Sequence, residues 1–121
     1  MEDSFVYEAK GPTLIIHLPK EFDHHNCRNL RYETDLLMAE NYVSRIIFDF
    51  TRTRFMDSSG IGLIMGRHRS MESIGGEVIV RNPPQHIRRV MRLSGMERIA
   101  RIQMDAPAAQ PEEPAERRDE Q

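Results

Sequence analysis

The sequence predicts an α/β fold, a small mixed β-sheet of four to five strands flanked by helices, and three observations carry that prediction. Short β-type runs recur along the chain, at Phe5–Ala9, Thr13–Leu18, Ile46–Phe50 and Glu77–Arg81. Apolar residues at helical spacing fill the stretches between the later runs. Glycine, proline or a capping residue punctuates each boundary. Strands alternating with helices after an opening hairpin imply a mixed sheet with helices packed against it.

Lys10-Gly11-Pro12 separates the first two runs and marks the hairpin turn. A helix is expected from about His24 to Glu40. Asp23 is its N-cap, and Cys27, Leu30, Thr34, Leu37 and Met38 share one face. Ile46-Ile47-Phe48-Asp49-Phe50 is mostly apolar without alternation, as in a central strand covered on both faces. Ser59–Ser73 reads as a second helix with Ile61, Ile64, Met65, His68 and Met71 along its stripe, and Gly75-Gly76 ends it. Asn82-Pro83-Pro84 reads as the start of a third helix, with Asn82 as the cap. That helix should carry Ile87, Val90 and Met91 inward and Arg88, Arg89 and Arg92 outward, and end at Gly95. A last short strand is expected around Arg101–Gln103.

At 121 residues and 39% hydrophobic content the chain can bury one core. We divide it into a folded domain, 1–104, and a Pro-rich acidic tail, 105–121, with the composition of a disordered segment. The tail holds six acids against two arginines; the rest holds 15 basic and 13 acidic groups, which is no footprint for nucleic acid. Cys27 is the only cysteine, so no intramolecular disulfide can form. No apolar run approaches the ~18 residues of a membrane span. Met1-Glu2-Asp3-Ser4 lacks the order of a signal peptide. The expectation is a cytoplasmic protein with no membrane partner.

The most informative stretch is Phe55-Met56-Asp57-Ser58-Ser59-Gly60-Ile61-Gly62, between the central strand and the second helix. In open α/β sheets, functional groups gather beyond the carboxyl ends of strands. Two hydroxyls and a carboxylate at a helix start also fit a plain N-cap. The glycines complicate the plain reading: Gly60, Gly62 and Gly66 lie in one helix, each costing ~1 kcal/mol against Ala. Such a cluster implies that another backbone comes close, either the sheet beneath or a partner above.

Other chemistries fail on spacing. Gly66 comes one residue too late for a dinucleotide fingerprint, and no phosphate-loop ending is present. Asp23-His24-His25 with Cys27 lacks the repeated spacing of a metal site. A triad drawn from Ser58, His68 and Asp49 has no nucleophile elbow around the serine. No cofactor and no metal is expected, and the chain reads as a non-enzyme.

Ile47–Gly62, then Gly75-Gly76-Glu77-Val78, Arg88-Arg89-Val90 and Leu93-Ser94-Gly95-Met96, together resemble the STAS domain. The likeness is strongest to the anti-sigma-factor antagonists of sporulating Gram-positive bacteria. Phe55–Gly60 is similar to their phosphorylation motif without a gap, and Glu21–His25 resembles the sporulation members. The resemblance spans roughly Phe5 to Gln103 and implies the STAS fold. It also implies an unphosphorylated form that binds an anti-sigma factor with serine kinase activity and releases the sigma factor. Phosphorylation of Ser58 would switch this off, and a serine phosphatase would reverse it.

Ser59 is then expected to cap the helix, and the partner surface to comprise Asp23, Asp57, Ser59, Gly60, Gly62, Leu63 and Arg67. Family members usually end in another helix where this chain has its tail, and its wealth of arginine bears on partner choice. The alternative reading is a STAS sensory module binding a nucleotide or other anion at the second-helix N-terminus.

Overall fold

The computed structural model describes residues 5–105. A five-stranded sheet is built from β1 (Val6–Lys10), β2 (Thr13–His17), β4 (Arg45–Asp49), β6 (Glu77–Arg81) and β7 (Arg101–Gln103), in that spatial order. β1 pairs with β2 antiparallel, through the expected hairpin, and every other pairing is parallel. Parallel neighbours need long crossovers, and the helices supply them. They are α1 (His24–Glu40), α2 (Ser58–Glu72) and α3 (Gln85–Leu93). A short 3₁₀ turn at Met96–Arg98 leads into β7.

Leu14, Ile16, Ile46, Phe48, Val78 and Val80 form one face of the sheet, and residues of all three helices join them in a single core. Ile15, Ile47 and Ile79 align in register on the opposite face, where Ile47 is only half-buried. β4 is central as expected, but the second cover inferred from its apolar run is incomplete. The isoleucine row is flanked in register by Glu8 and Arg101, long side chains whose stems can screen it.

Helix α1 follows expectation: Cys27, Leu30 and Thr34 are buried, with Leu37 and Met38 packed at the margin. Helix α2 is rotated from its expected stripe. Gly60, Leu63, Ile64 and Met71 are buried, Ile61 is partly buried against the core, and His68 sits 3.8 Å from Glu72. In α3, Ile87 and Met91, one turn apart, fill the core, and Val90 is 39% exposed rather than inward.

Asn82 does not cap α3. Its φ of 56° places it in the left-handed region, and Pro84 holds the N-cap position without a side-chain bond. The Asn82 amide instead clasps Asp105, donating to its carboxylate at 2.8 Å while accepting its N–H at 2.8 Å. The acidic tail beyond Asp105 lies outside the described residues.

The glycines resolve into two kinds. A Cβ at Gly60 would lie 2.7 Å from Met56 and 2.9 Å from Phe22, so α2 rests on those side chains. At Gly62 and Gly66 nothing lies within 4 Å, so among the described residues the sheet does not come close there, and of the two expected approaches only a partner's stays open. Gly60→Ala is therefore expected to destabilise by ~1–3 kcal/mol through overpacking. Gly62→Ala is expected to stabilise by ~0.4–1 kcal/mol. Chemical denaturation of the two variants checks the contrast, and equal effects would refute it.

Asp49 is a buried charge, 7% exposed at the end of β4. Its carboxylate accepts from the Thr51 hydroxyl at 2.6 Å and amide at 2.9 Å, and from Arg81 at 3.1 Å, and it meets His17 Nδ1 at 3.0 Å. Burial alone would raise its pKa. The Thr51 and Arg81 contacts outweigh burial and hold the carboxyl below its ordinary range. A pKa lowered by folding gives stability above the unfolded value of ~3.9, lost as pH falls through the folded value. Wild type should thus lose more stability than Asp49→Asn on acidification below ~pH 4. Parallel acid limbs in thermal melts would show that this carboxylate adds nothing.

Candidate functional site

Parallel strands send their carboxyl ends the same way, so α1, α2 and α3 all begin at one end of the sheet. There a second, two-stranded sheet forms from β3 (Glu21–Phe22) and β5 (Phe55–Met56), paired in parallel. The Arg54 and Phe55 amides also donate to the Lys20 carbonyl, at 2.7 and 3.2 Å. This small sheet sets two equivalent junctions side by side. β3 runs through Asp23 into α1, and β5 runs through Asp57 into α2. The two aspartates share one extended geometry, φ −106° with ψ −175° and −174°. Beneath them Phe22 is fully buried, edge-on to Phe50 at 5.9 Å between ring centres.

Each aspartate caps its own helix. Asp23 accepts from the Asn26 amide at 3.0 Å, and Asp57 Oδ1 accepts from the Ser59 amide at 2.9 Å. Asp57 does more: its Oδ2 accepts from the His24 amide, the first of α1, at 3.0 Å. One carboxylate thus ties the N-termini of both helices. The sequence assigned the cap to Ser59 and began the helix there. Asp57 is the cap instead, and α2 begins one residue earlier at Ser58.

That shift distinguishes the two serines. Ser59 is half-buried, its amide taken by Asp57 and its hydroxyl 3.4 Å from His24 Nδ1. Ser58 is exposed at the first position of α2, and its hydroxyl has no hydrogen-bond partner among the described residues. A phosphoryl group placed there meets the favourable end of the helix dipole and is open to an enzyme.

The structure brings Asp23, Asp57, Ser58 and Ser59 together, with Gly60 directly beneath and Gly62 exposed one turn along. Leu63 and Arg67 fall elsewhere. Leu63, 1% exposed, points into the core, because α2 turns Leu63 and Ile64 rather than Ile61 and Met65 most deeply inward. Arg67 clasps α1: one of its terminal nitrogens donates to Asp35 at 2.6 Å, Thr34 at 2.9 Å and the Arg31 carbonyl at 3.1 Å.

Sequence reasoning missed the Asp57–His24 bond. The repeated strand–Asp–helix junction at Glu21–His24 and Phe55–Ser58 was the available signal.

Other nucleophiles are poorly placed. The Cys27 thiol is buried and pushed up to about 12, first by burial and then by the nearby carboxylates of Asp57 and Asp23. Asp49 is engaged by His17 and His68 lies over Glu72, so neither forms a relay to Ser58. Among the described residues no group of three or more His, Cys, Asp or Glu is arranged to hold a metal ion. No described helix is long and apolar enough to cross a membrane.

Comparison with known proteins places this geometry. Residues 4–109 match the model of the STAS domain. The anti-sigma F factor antagonist of Lysinibacillus sphaericus is 37% identical over 84 residues, 69% of this chain and 72% of that protein. That of Paenibacillus polymyxa is 36% identical over 91 residues, 74% of this chain and 76% of its own. Among solved structures, the unphosphorylated anti-sigma factor antagonist SpoIIAA superposes with a TM-score of 0.77 at 33% identity, covering 88% of this chain and 91% of its own. The phosphorylated Bacillus cell fate determinant SpoIIAA gives 0.71 at 33% identity, covering 88% and 95%. Sequence, topology and the helix-start site agree: the chain belongs to the STAS domain family.

Proposed function

We propose that this protein is an anti-sigma-factor antagonist of the sporulation type, working in the cytoplasm by partner switching. In its unphosphorylated form it binds an anti-sigma factor that is also a serine kinase, and so frees a sigma factor. Phosphorylation of Ser58 ends the interaction, and a serine phosphatase restores it. The curated relatives carry this regulatory name, and SpoIIAA has been solved in both phosphorylation states. The observation that carries the reading here is the free, exposed Ser58 hydroxyl beside a carboxylate already committed to both helix starts.

That same commitment disfavours the alternative, an anion or nucleotide held at the α2 N-terminus. Asp57 occupies the Ser59 and His24 amides that such a ligand would need, and its charge repels one. The contact surface is Asp23, Asp57, Ser58, Ser59 and Gly62, with Gly60 setting the height of the helix. Incubation with the purified kinase and ATP, followed by mapping of the phosphopeptide, tests this. Phosphate on Ser58 supports the reading; phosphate on Ser59 or elsewhere overturns it.

A further inference from the structure

Cations gather on the α3 side of the same end of the sheet. His86 Nε2 lies 2.7 Å from the carbonyl of Arg54, which ties the start of α3 to the segment leading into β5 and Ser58. A groove of about 620 Å³ lined by Gln85, His86, Arg89 and Arg92 runs along α3. A second cleft, lined in part by Lys20, Arg52, Arg54 and His86, joins it to the β5 side. Arg89 is exposed with no ion-pair partner among the described residues, and Arg92 has only Glu97, at 4.0 Å. Of the carboxylates at this end, Asp23 and Asp57 are spent on helix amides.

The outward stripe of α3 is not uniformly polar. At helical spacing it reads His86, Arg89, Val90, Leu93, and Leu93 is 80% exposed. Leu93 and Val90 lie beside Arg89 and Arg92 on this face, and protein interfaces are enriched in Arg around an apolar centre. Phosphate backbones would use the arginines and leave the apolar pair idle.

We propose that this α3 stripe is a second contact surface for the anti-sigma factor, engaging an acidic patch with an apolar centre on that partner. The inference rests on the reading of Ser58 above and adds a division of labour. The Ser58 end decides whether the complex forms, and the arginines of α3 steer the approach. Opposite charges across an interface raise association rates and lose that effect as salt screens them.

The test measures association and dissociation of the full-length chain with purified cognate anti-sigma factor across a salt series. The variants are Arg89→Glu with Arg92→Glu, Leu93→Ser, and a control, Arg69→Glu with Arg98→Glu. The control carries the same charge change at exposed positions, Arg69 toward the far end of α2 and Arg98 in the 3₁₀ turn beyond α3. The α3 reversal is expected to slow association about tenfold at low salt, with the gap closing at high salt and the melting temperature unchanged. Leu93→Ser is expected to speed dissociation about tenfold, since the apolar contact acts after encounter. Equal association rates for wild type and the α3 reversal, or equal slowing by the control, would overturn the proposal. So would duplex DNA binding lost on α3 reversal while anti-sigma association stays unchanged. Failure of the wild type itself to bind the anti-sigma factor would instead strike the underlying reading.

Discussion

Replacing Ser58 with Asp is expected to leave the melting temperature within a degree or two of wild type while removing affinity for the anti-sigma factor. The first half follows from the position. Negative charge at the first residue of α2 gains ~0.3–1 kcal/mol from the helix dipole. The Asp57 carboxylate, one residue away, offsets that gain by like-charge repulsion. Nothing else need move, because the Ser58 side chain is exposed and makes no bond that the substitution would break.

The second half follows from the interface. A charge buried against a partner without a counter-ion costs several kcal/mol, and every ~1.4 kcal/mol weakens binding tenfold. Affinity should therefore fall at least about a hundredfold, and phosphate, larger and more highly charged, should act more strongly still. Ser58→Ala is expected to bind like wild type and to accept no phosphate. Calorimetric titration and thermal melts of both variants, with Ser59→Ala as control, measure this. Stoichiometric phosphorylation of Ser58→Ala would refute the assignment, as would a Ser58→Asp variant that lost binding only by unfolding.

Much of this site was legible in the sequence. The apolar runs at Ile46–Phe50 and Glu77–Arg81 announce buried strands, and Asp23 before a helical stripe announces a cap. The gapless Asp57-Ser58-Ser59-Gly60 stretch announces the site itself. Features depending on distant chain were not legible. Strands β3 and β5 are two residues each, too short for any periodicity, and exist only because residues 21–22 and 55–56 meet in space.

The rotation of α2 was hidden for a related reason. Three glycines dilute its apolar pattern, and Gly60 takes an inward place because Phe22 and Met56 already fill the space beneath it. Leu63 accordingly turns to the core, and Arg67 finds Asp35 across 32 residues of sequence. Asn82 looked like a cap because Asn before proline usually is one. Its backbone is left-handed, and its side chain clasps a partner 23 residues away, Asp105. Local pattern picked out the stretch that forms the candidate site, and tertiary contacts decided which way each of its residues faces.

Asp57→Ala should be the most destabilising of the polar substitutions at the site, because one carboxylate serves two helices. Loss of an N-cap costs ~0.5–2 kcal/mol, typically ~1. Asp23→Ala removes one such bond, to the Asn26 amide. Asp57→Ala removes two, orphaning the Ser59 amide of α2 and the His24 amide of α1. A loss of ~2 kcal/mol is expected for Asp57→Ala against ~1 for Asp23→Ala. In a domain of this size that difference separates the melting temperatures by about 4–8 °C. Asp57→Asn keeps a single acceptor oxygen and should fall between them. Hydrogen exchange gives an independent readout: Asp57→Ala should speed exchange at both His24 and Ser59, and Asp23→Ala at Asn26 alone. If the Asp57 and Asp23 variants proved equally stable, the bond to His24 would contribute nothing.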